Sequence, residues 1–121
     1  MLGVLVFAHG SRDPLWRAPV EAVACKIAER DPQALVASAY LELCEPDMPT
    51  AVADLVARGA TTVRVLPLFF GMGKHAREDL PGIMKDLAER HPGVHLEQLP
   101  TAGEEPRLTA LLAQIALERS P

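Results

Sequence analysis

Two histidines occupy matching settings in this 121-residue chain. His9 follows the apolar run Leu2 to Ala8 and opens the segment His9-Gly10-Ser11-Arg12-Asp13-Pro14. His75 follows Leu66-Pro67-Leu68-Phe69-Phe70 within Gly71-Met72-Gly73-Lys74-His75-Ala76-Arg77-Glu78-Asp79-Leu80-Pro81. Imidazole titrates near neutrality, and its neutral form is a good ligand for first-row transition metals. Two imidazoles facing each other across a crevice could hold one metal ion or shuttle protons. Arg12, Lys74 and Arg77 lie in the same two segments. With the unpaired N–H groups of the helices that follow, they make an anion-binding rim. A substrate carrying several carboxylates beside a metal-accepting centre satisfies both features. Gly71 and Gly73 permit tight turns that side chains would obstruct. Glu42 and Glu45 follow another strand-like run; either would ordinarily be a solvated loop carboxylate, but at the same sheet edge one could be a third metal ligand or a proton acceptor.

The surrounding pattern says how these residues are positioned. Leu2 to Ala8 is nearly all apolar and β-prone, as in a strand buried on both faces of a parallel sheet. Asp13-Pro14 marks a helix start, and Val20, Val23, Ala24, Ile27 and Ala28 form a helical stripe. Pro19 would kink a helix that began this early. Leu35 to Leu43 reads as strand two. Asp47 caps a helix with Val52, Leu55 and Val56, and Gly59 suits a left-handed C-terminal cap. Thr62 to Phe70 is strand three. Leu80, Ile83, Met84, Leu87 and Ala88 stripe the next helix, Val94 to Leu99 is strand four, and Leu108, Leu111, Leu112 and Ile115 stripe the last helix.

Strictly alternating strands and helices imply an α/β domain, a parallel sheet covered by helices on both sides. The length allows one domain, residues 1–121. A flavodoxin-like strand order of 2-1-3-4 is expected, with its switch point between strands one and three. Those strands carry His9 and His75 at their carboxyl ends. A lone histidine after a strand commonly bonds its own backbone, whereas a pair at the switch point argues for a site. His91, beside Pro92 at a helix end, and His95, alternating with Val94 and Leu96, read as a dipole partner and a solvent-facing strand residue. Trp16 is near enough to the first segment to line a flat pocket.

Composition narrows the class. Apolar residues make up 49% of the chain, enough for a core, and the net charge of −4 argues against a nucleic-acid-binding surface. Cys25 and Cys44 have no metal-ligand spacing and fit a reduced, cytoplasmic protein. No apolar run approaches a membrane span or a secretory leader. The GxSxG elbow, the phosphate loop and GxGxxG are absent from the sequence, and Ala8 before His9-Gly10 departs from the Arg-His-Gly of histidine phosphatases. On these residues alone, three readings stand: an enzyme that uses a bound metal, a metal-binding carrier that turns nothing over, and a small α/β enzyme with His75 as general base on a phosphorylated or carboxylated metabolite.

Taken together, Ala8 to Pro14 and Gly71 to Pro81 resemble the class II tetrapyrrole chelatases, most closely the short CbiX-type sirohydrochlorin cobaltochelatases. Tyr40-Leu41-Glu42-Leu43-Cys44-Glu45-Pro46 and Val65-Leu66-Pro67-Leu68-Phe69 look like further family segments. The resemblance implies insertion of a divalent metal into sirohydrochlorin, a flat macrocycle with many carboxylates, on the route to cobalamin or sirohaem. It implies Co2+ as the metal substrate, with Fe2+ or Ni2+ as alternatives, and no organic cofactor. His9 and His75 become the metal-binding and proton-accepting pair; Glu42, from its place at the end of strand two rather than from the resemblance, is taken as the third ligand, with Glu45 the alternative. Ser11, Arg12, Gly71, Gly73, Lys74 and Arg77 surround the substrate, and two copies form a homodimer whose ligand-binding edges face a shared cleft. Two departures are visible: Lys74 stands where a small residue is common, and Gly103-Glu104-Glu105-Pro106 is more acidic than the family loop.

Overall fold

A computed structural model describes residues 1–118. Its four strands are β1 (Leu2–Ala8), β2 (Leu35–Tyr40), β3 (Thr62–Pro67) and β4 (His95–Gln98). They pair in parallel in the order β2-β1-β3-β4, as the alternating pattern predicts. Leu5 of β1 lies opposite Ala37 of β2 and Val65 of β3, so the most apolar strand sits in the middle. Between the strands run α1 (Pro14–Arg30), α2 (Met48–Ala57) and α3 (Lys74–Arg90). A short helical turn, Ala102–Glu104, and α4 (Pro106–Leu117) follow β4.

Side-chain alternation divides the core in two. Leu5, Phe7, Ala39, Val63 and Val65 meet Met48, Val52 and Leu55 of α2 and Ala76, Leu80 and Leu87 of α3. On the opposite face Val6, Ala8 and Tyr40 meet Val20 of α1, with Val23, Ala24 and Ile27 alongside. Ala28 and Ala88, expected in the stripes, are exposed. The helix starts follow cap chemistry: Asp13 Oδ1 accepts the Leu15 N–H at 2.9 Å, and Asp47 Oδ1 accepts that of Thr50 at 2.9 Å. Those Thr50 bonds favour the ionised carboxyl and lower the Asp47 pKa. Gly59, at φ +108°, closes α2 as its position suggests.

Several boundaries differ from expectation: strand four is His95–Gln98 rather than Val94–Leu99, and the larger differences fall at the carboxyl edge of the sheet. Strand two ends at Tyr40 rather than Leu43, and strand three at Pro67 rather than Phe70. The chain turns out of the sheet there: Leu41 and Glu42 donate sideways to the carbonyls of Ala8 and His9 at 3.0 Å, and Leu43 adopts a left-handed φ of +69°. Helix α3 starts at Lys74, carrying Pro81 in its interior, so His75 stands in a helical first turn rather than a loop. Helix α1 likewise runs through Pro19. The last helix buries none of its residues. It packs chiefly on the short turn before it, leaving Leu111, Leu112 and Ile115 about half exposed. The sheet is flanked by helices as the alternating pattern implies, with α4 packing on the strands less closely than α1, α2 and α3 do.

Candidate active site at the carboxyl edge of the sheet

The site is assembled from three loops whose spatial order is that of their strands, β2, β1 and β3. His9 occupies the middle position. Gly10 behind it has φ +108°, and a Cβ there would fall 1.8 Å from the Glu42 carbonyl oxygen. Only glycine allows this approach, and it seats the first loop against the second. The Glu42 N–H donates to the His9 carbonyl at 3.0 Å, and the side chains also meet: His9 Nε2 is 2.7 Å from Glu42 Oε1. Each is about half exposed, so the pair adds little stability. Its effect is orientation. A carboxylate accepting from Nε2–H fixes the tautomer in which Nδ1 carries the lone pair.

His9 and His75 line one cavity of about 390 Å³, together with Leu41, Phe69, Gly71, Gly73, Lys74 and Ala76. The sequence pairs the two histidines only through topology, and the fold brings both to a common space. Ala76 and Leu80 are buried against the sheet, which holds the first turn of α3, and with it His75, at the cavity. Among the described residues, no three His, Cys, Asp or Glu side chains form a preformed metal cluster. Glu42 meets His9 directly, which makes it a partner of that imidazole. Glu45 does not line the histidine cavity; with Leu41 and Glu42 it lines a neighbouring depression beside Tyr40, Cys44, Asp47 and Thr50.

The expected substrate-binding residues divide by what they touch. Gly71, Gly73 and Lys74 line the cavity. Ser11 Oγ accepts the Asp13 N–H at 3.0 Å, shaping the loop into α1. Arg12 and Arg77 are exposed and make no ion pair among the described residues. Lys74 Nζ reaches only 4.0 Å from Glu78 Oε1. Of the three cations, Lys74 alone lines the cavity. Trp16 packs against Tyr40, centroids 6.2 Å apart, beside the first loop. Burial, with help from Cys44 and Glu21, raises the Tyr40 pKa and keeps its hydroxyl protonated.

Two supporting residues were not expected from the sequence. The buried Thr101 hydroxyl donates to the Phe69 carbonyl at 2.7 Å, and the Gly103 N–H donates to the same oxygen at 2.9 Å. Gly103 lies so close that a Cβ would sit 1.4 Å from the Phe70 carbonyl oxygen. The segment after β4 therefore clamps the loop that leads to His75. The acidity of Glu104-Glu105 is partly consumed locally, because Glu105 caps α4 and pairs with Arg107, which lowers its pKa. His91 ends α3, donating its N–H to Leu87, and His95 is exposed on β4, 3.5 Å from Glu97. Neither approaches the cavity.

Comparison with known proteins agrees with this architecture. The CbiX family model matches residues 3–119. A sirohydrochlorin cobaltochelatase of Methanococcoides burtonii is 32% identical over 123 residues, covering 98% of this chain and 94% of the relative. Among solved structures, a CbiX protein from Marinobacter aquaeolei superposes with a TM-score of 0.81 at 32% identity, covering 99% of this chain and all of the other. The sirohydrochlorin chelatase SirB from Bacillus subtilis subspecies spizizenii, in complex with cobalt, gives a TM-score of 0.74 at 25% identity. That match covers 95% of this chain and half of SirB. The chain, matched along nearly its whole length and carrying both histidine segments at one sheet edge, belongs to the CbiX family.

Proposed function

We propose that the protein is a sirohydrochlorin chelatase, inserting a divalent metal into the macrocycle on the route to cobalamin or sirohaem. The observation that carries the reading is the shared cavity of His9 and His75, with Glu42 bonded to His9. The cobaltochelatase of M. burtonii and the cobalt complex of SirB favour Co2+ as the metal substrate over Fe2+ and Ni2+. No organic cofactor is required.

The chemistry follows from proton balance. A divalent ion entering the ring displaces two pyrrole protons, so the site needs bases that can also hand over a metal. Imidazole does both. Glu42 holds His9 so that Nδ1 is free to bind the ion or accept a proton, and it stabilises the imidazolium that results. His75 is the second base. Two protein ligands leave most coordination positions of the ion open, which suits a metal that must leave. Arg12, Lys74 and Arg77 bind the carboxylates. That binding energy can hold the ring in a distorted form that exposes its nitrogens.

The decisive experiment is an insertion assay with metal-free sirohydrochlorin and Co2+, Fe2+ and Ni2+ in turn, followed by the macrocycle's absorbance. Catalysed insertion faster than the spontaneous rate, with Co2+ fastest, is expected. Tight macrocycle binding without turnover would make the protein a carrier. Activity on an unrelated carboxylated metabolite in the absence of metal would overturn the chelatase reading.

A further inference from the structure

Phe70 is 77% exposed, whereas Phe69 is 8% exposed and packs edge-on against Phe7 with centroids 5.8 Å apart. The backbone that carries Phe70 is held from the far side of the loop. Phe69 O accepts both the Thr101 hydroxyl and the Gly103 N–H, and Gly103 packs directly on the Phe70 carbonyl. Phe69 and Gly71, its chain neighbours, both line the histidine cavity, so Phe70 is exposed next to that cavity without lining it. On the other flank of His9, the loop after β2 presents Leu43, half exposed, from a left-handed backbone. That conformation is disfavoured for a leucine. An exposed apolar side chain therefore stands on each side of the histidine, one on a clamped backbone and one on a strained backbone. The cavity itself, about 390 Å³, is at the small end for a ligand pocket, so a macrocycle must extend beyond it over the loops.

We propose that Phe70 is a binding residue for the face of the conjugated macrocycle, stacking on it at the cavity rim while Leu43 bears on the ring from the opposite flank. Aromatic faces attract one another in offset or edge-on arrangements beyond simple area burial. The cationic rim then takes the carboxylates and the histidines take the reacting centre. This assignment rests on the tetrapyrrole reading above.

Its test uses the intact protein with metal-free sirohydrochlorin and Co2+, measuring ring binding and insertion separately. Phe70→Ala should weaken ring binding and raise KM about five- to tenfold, with kcat changed much less and the melting temperature unaltered, because the side chain is already in water. Phe70→Tyr should restore the wild-type KM. In the Trp16→Phe background, Phe70→Trp should show indole fluorescence quenched by the ring at concentrations matching its KM. An unchanged KM in Phe70→Ala, or an unquenched indole, overturns the assignment. So does a KM change that tracks loss of a self-associated species in sedimentation, which would make Phe70 an interface residue. A wild-type protein that binds the ring but inserts no metal overturns the reaction instead, and ring affinity in Phe70→Ala still decides the stacking.

Discussion

At the residue scale, the two histidines have separable supports. His9 is oriented by a carboxylate and by a backbone at Gly10 that only glycine tolerates; His75 is held by its neighbour Ala76, buried in the first turn of α3. His9→Ala or His75→Ala should reduce insertion by at least about a hundredfold, the usual contribution of a positioned acid or base. Circular dichroism and melting should be unchanged, since neither imidazole is buried. His91→Ala and His95→Ala serve as controls and should be nearly silent. Glu42→Gln keeps the size and loses the charge that stabilises a protonated His9. A loss of about 10- to 100-fold in kcat is expected, the range for partners of ligating histidines. An undiminished kcat would mean that Glu42 does not act through His9. Arg12→Ala, Lys74→Ala and Arg77→Ala should each raise KM for the polycarboxylate, and wild-type KM should rise with ionic strength as screening grows. Indifference to all of these changes would place the anion rim elsewhere.

The loops and caps carry the element scale. Apolar residues beyond the strand ends, Leu41, Leu68 and Phe69, look in sequence like continued strand. They are apolar because they wall the cavity or fill the core beneath it, so periodicity overran β2 and β3 by three residues each. Helix α3 hid its true start for the opposite reason: its first turn is mostly polar and precedes a proline. The clamp of Thr101 and Gly103 on Phe69 and Phe70 lay beyond reach, because it joins a side-chain hydroxyl and a backbone N–H to backbone carbonyls more than thirty positions away. The histidines were legible since each follows an unmistakable buried strand. Thr101→Val should remove one of the two donors to the Phe69 carbonyl while the Gly103 N–H stays, costing about 0.5–1.5 kcal/mol, and should raise KM by loosening the loop. Asp47 offers a pH test. Its carboxyl titrates below the ordinary value in the folded protein, as do those of Glu97, bonded to Arg64, and Glu105. Their stabilisation is complete above about pH 4, the unfolded range, and is lost as pH falls through the lower folded values. Asp47→Ala should cost about 1 kcal/mol at pH 7 through loss of the cap. The gap from wild type should narrow in melts below pH 4, and a constant gap would show that the charge of Asp47 is irrelevant.

For the whole molecule, the open question of cover concerns α4 and the sheet beside it. Leu66, Leu68, Leu99, Pro100 and Ala102, with Glu105, Arg107 and Leu108 at the start of α4, line a mostly apolar groove of about 280 Å³, while Leu111, Leu112 and Ile115 further along α4 are about half exposed. A helix stripe without a floor and a groove without a lid on one chain are what two copies could satisfy mutually. Burying the exposed parts of those three side chains would contribute roughly 1 kcal/mol each. The match to half of SirB fits the same need for a second domain-sized body around the ligand, as does a cavity too small to enclose a tetrapyrrole. Two-fold pairs are the commonest soluble assembly, so a homodimer is expected in sedimentation at micromolar concentration. Leu112→Glu with Ile115→Glu should dissociate it without lowering the melting temperature in proportion to two lost core residues, because neither residue is buried within one chain. If the pair joins through this face and completes the ligand cleft, the dissociated variant should bind the macrocycle more weakly while His9 and His75 remain intact. A wild-type monomer with full insertion activity would show that one crevice suffices, and the homodimer would be wrong.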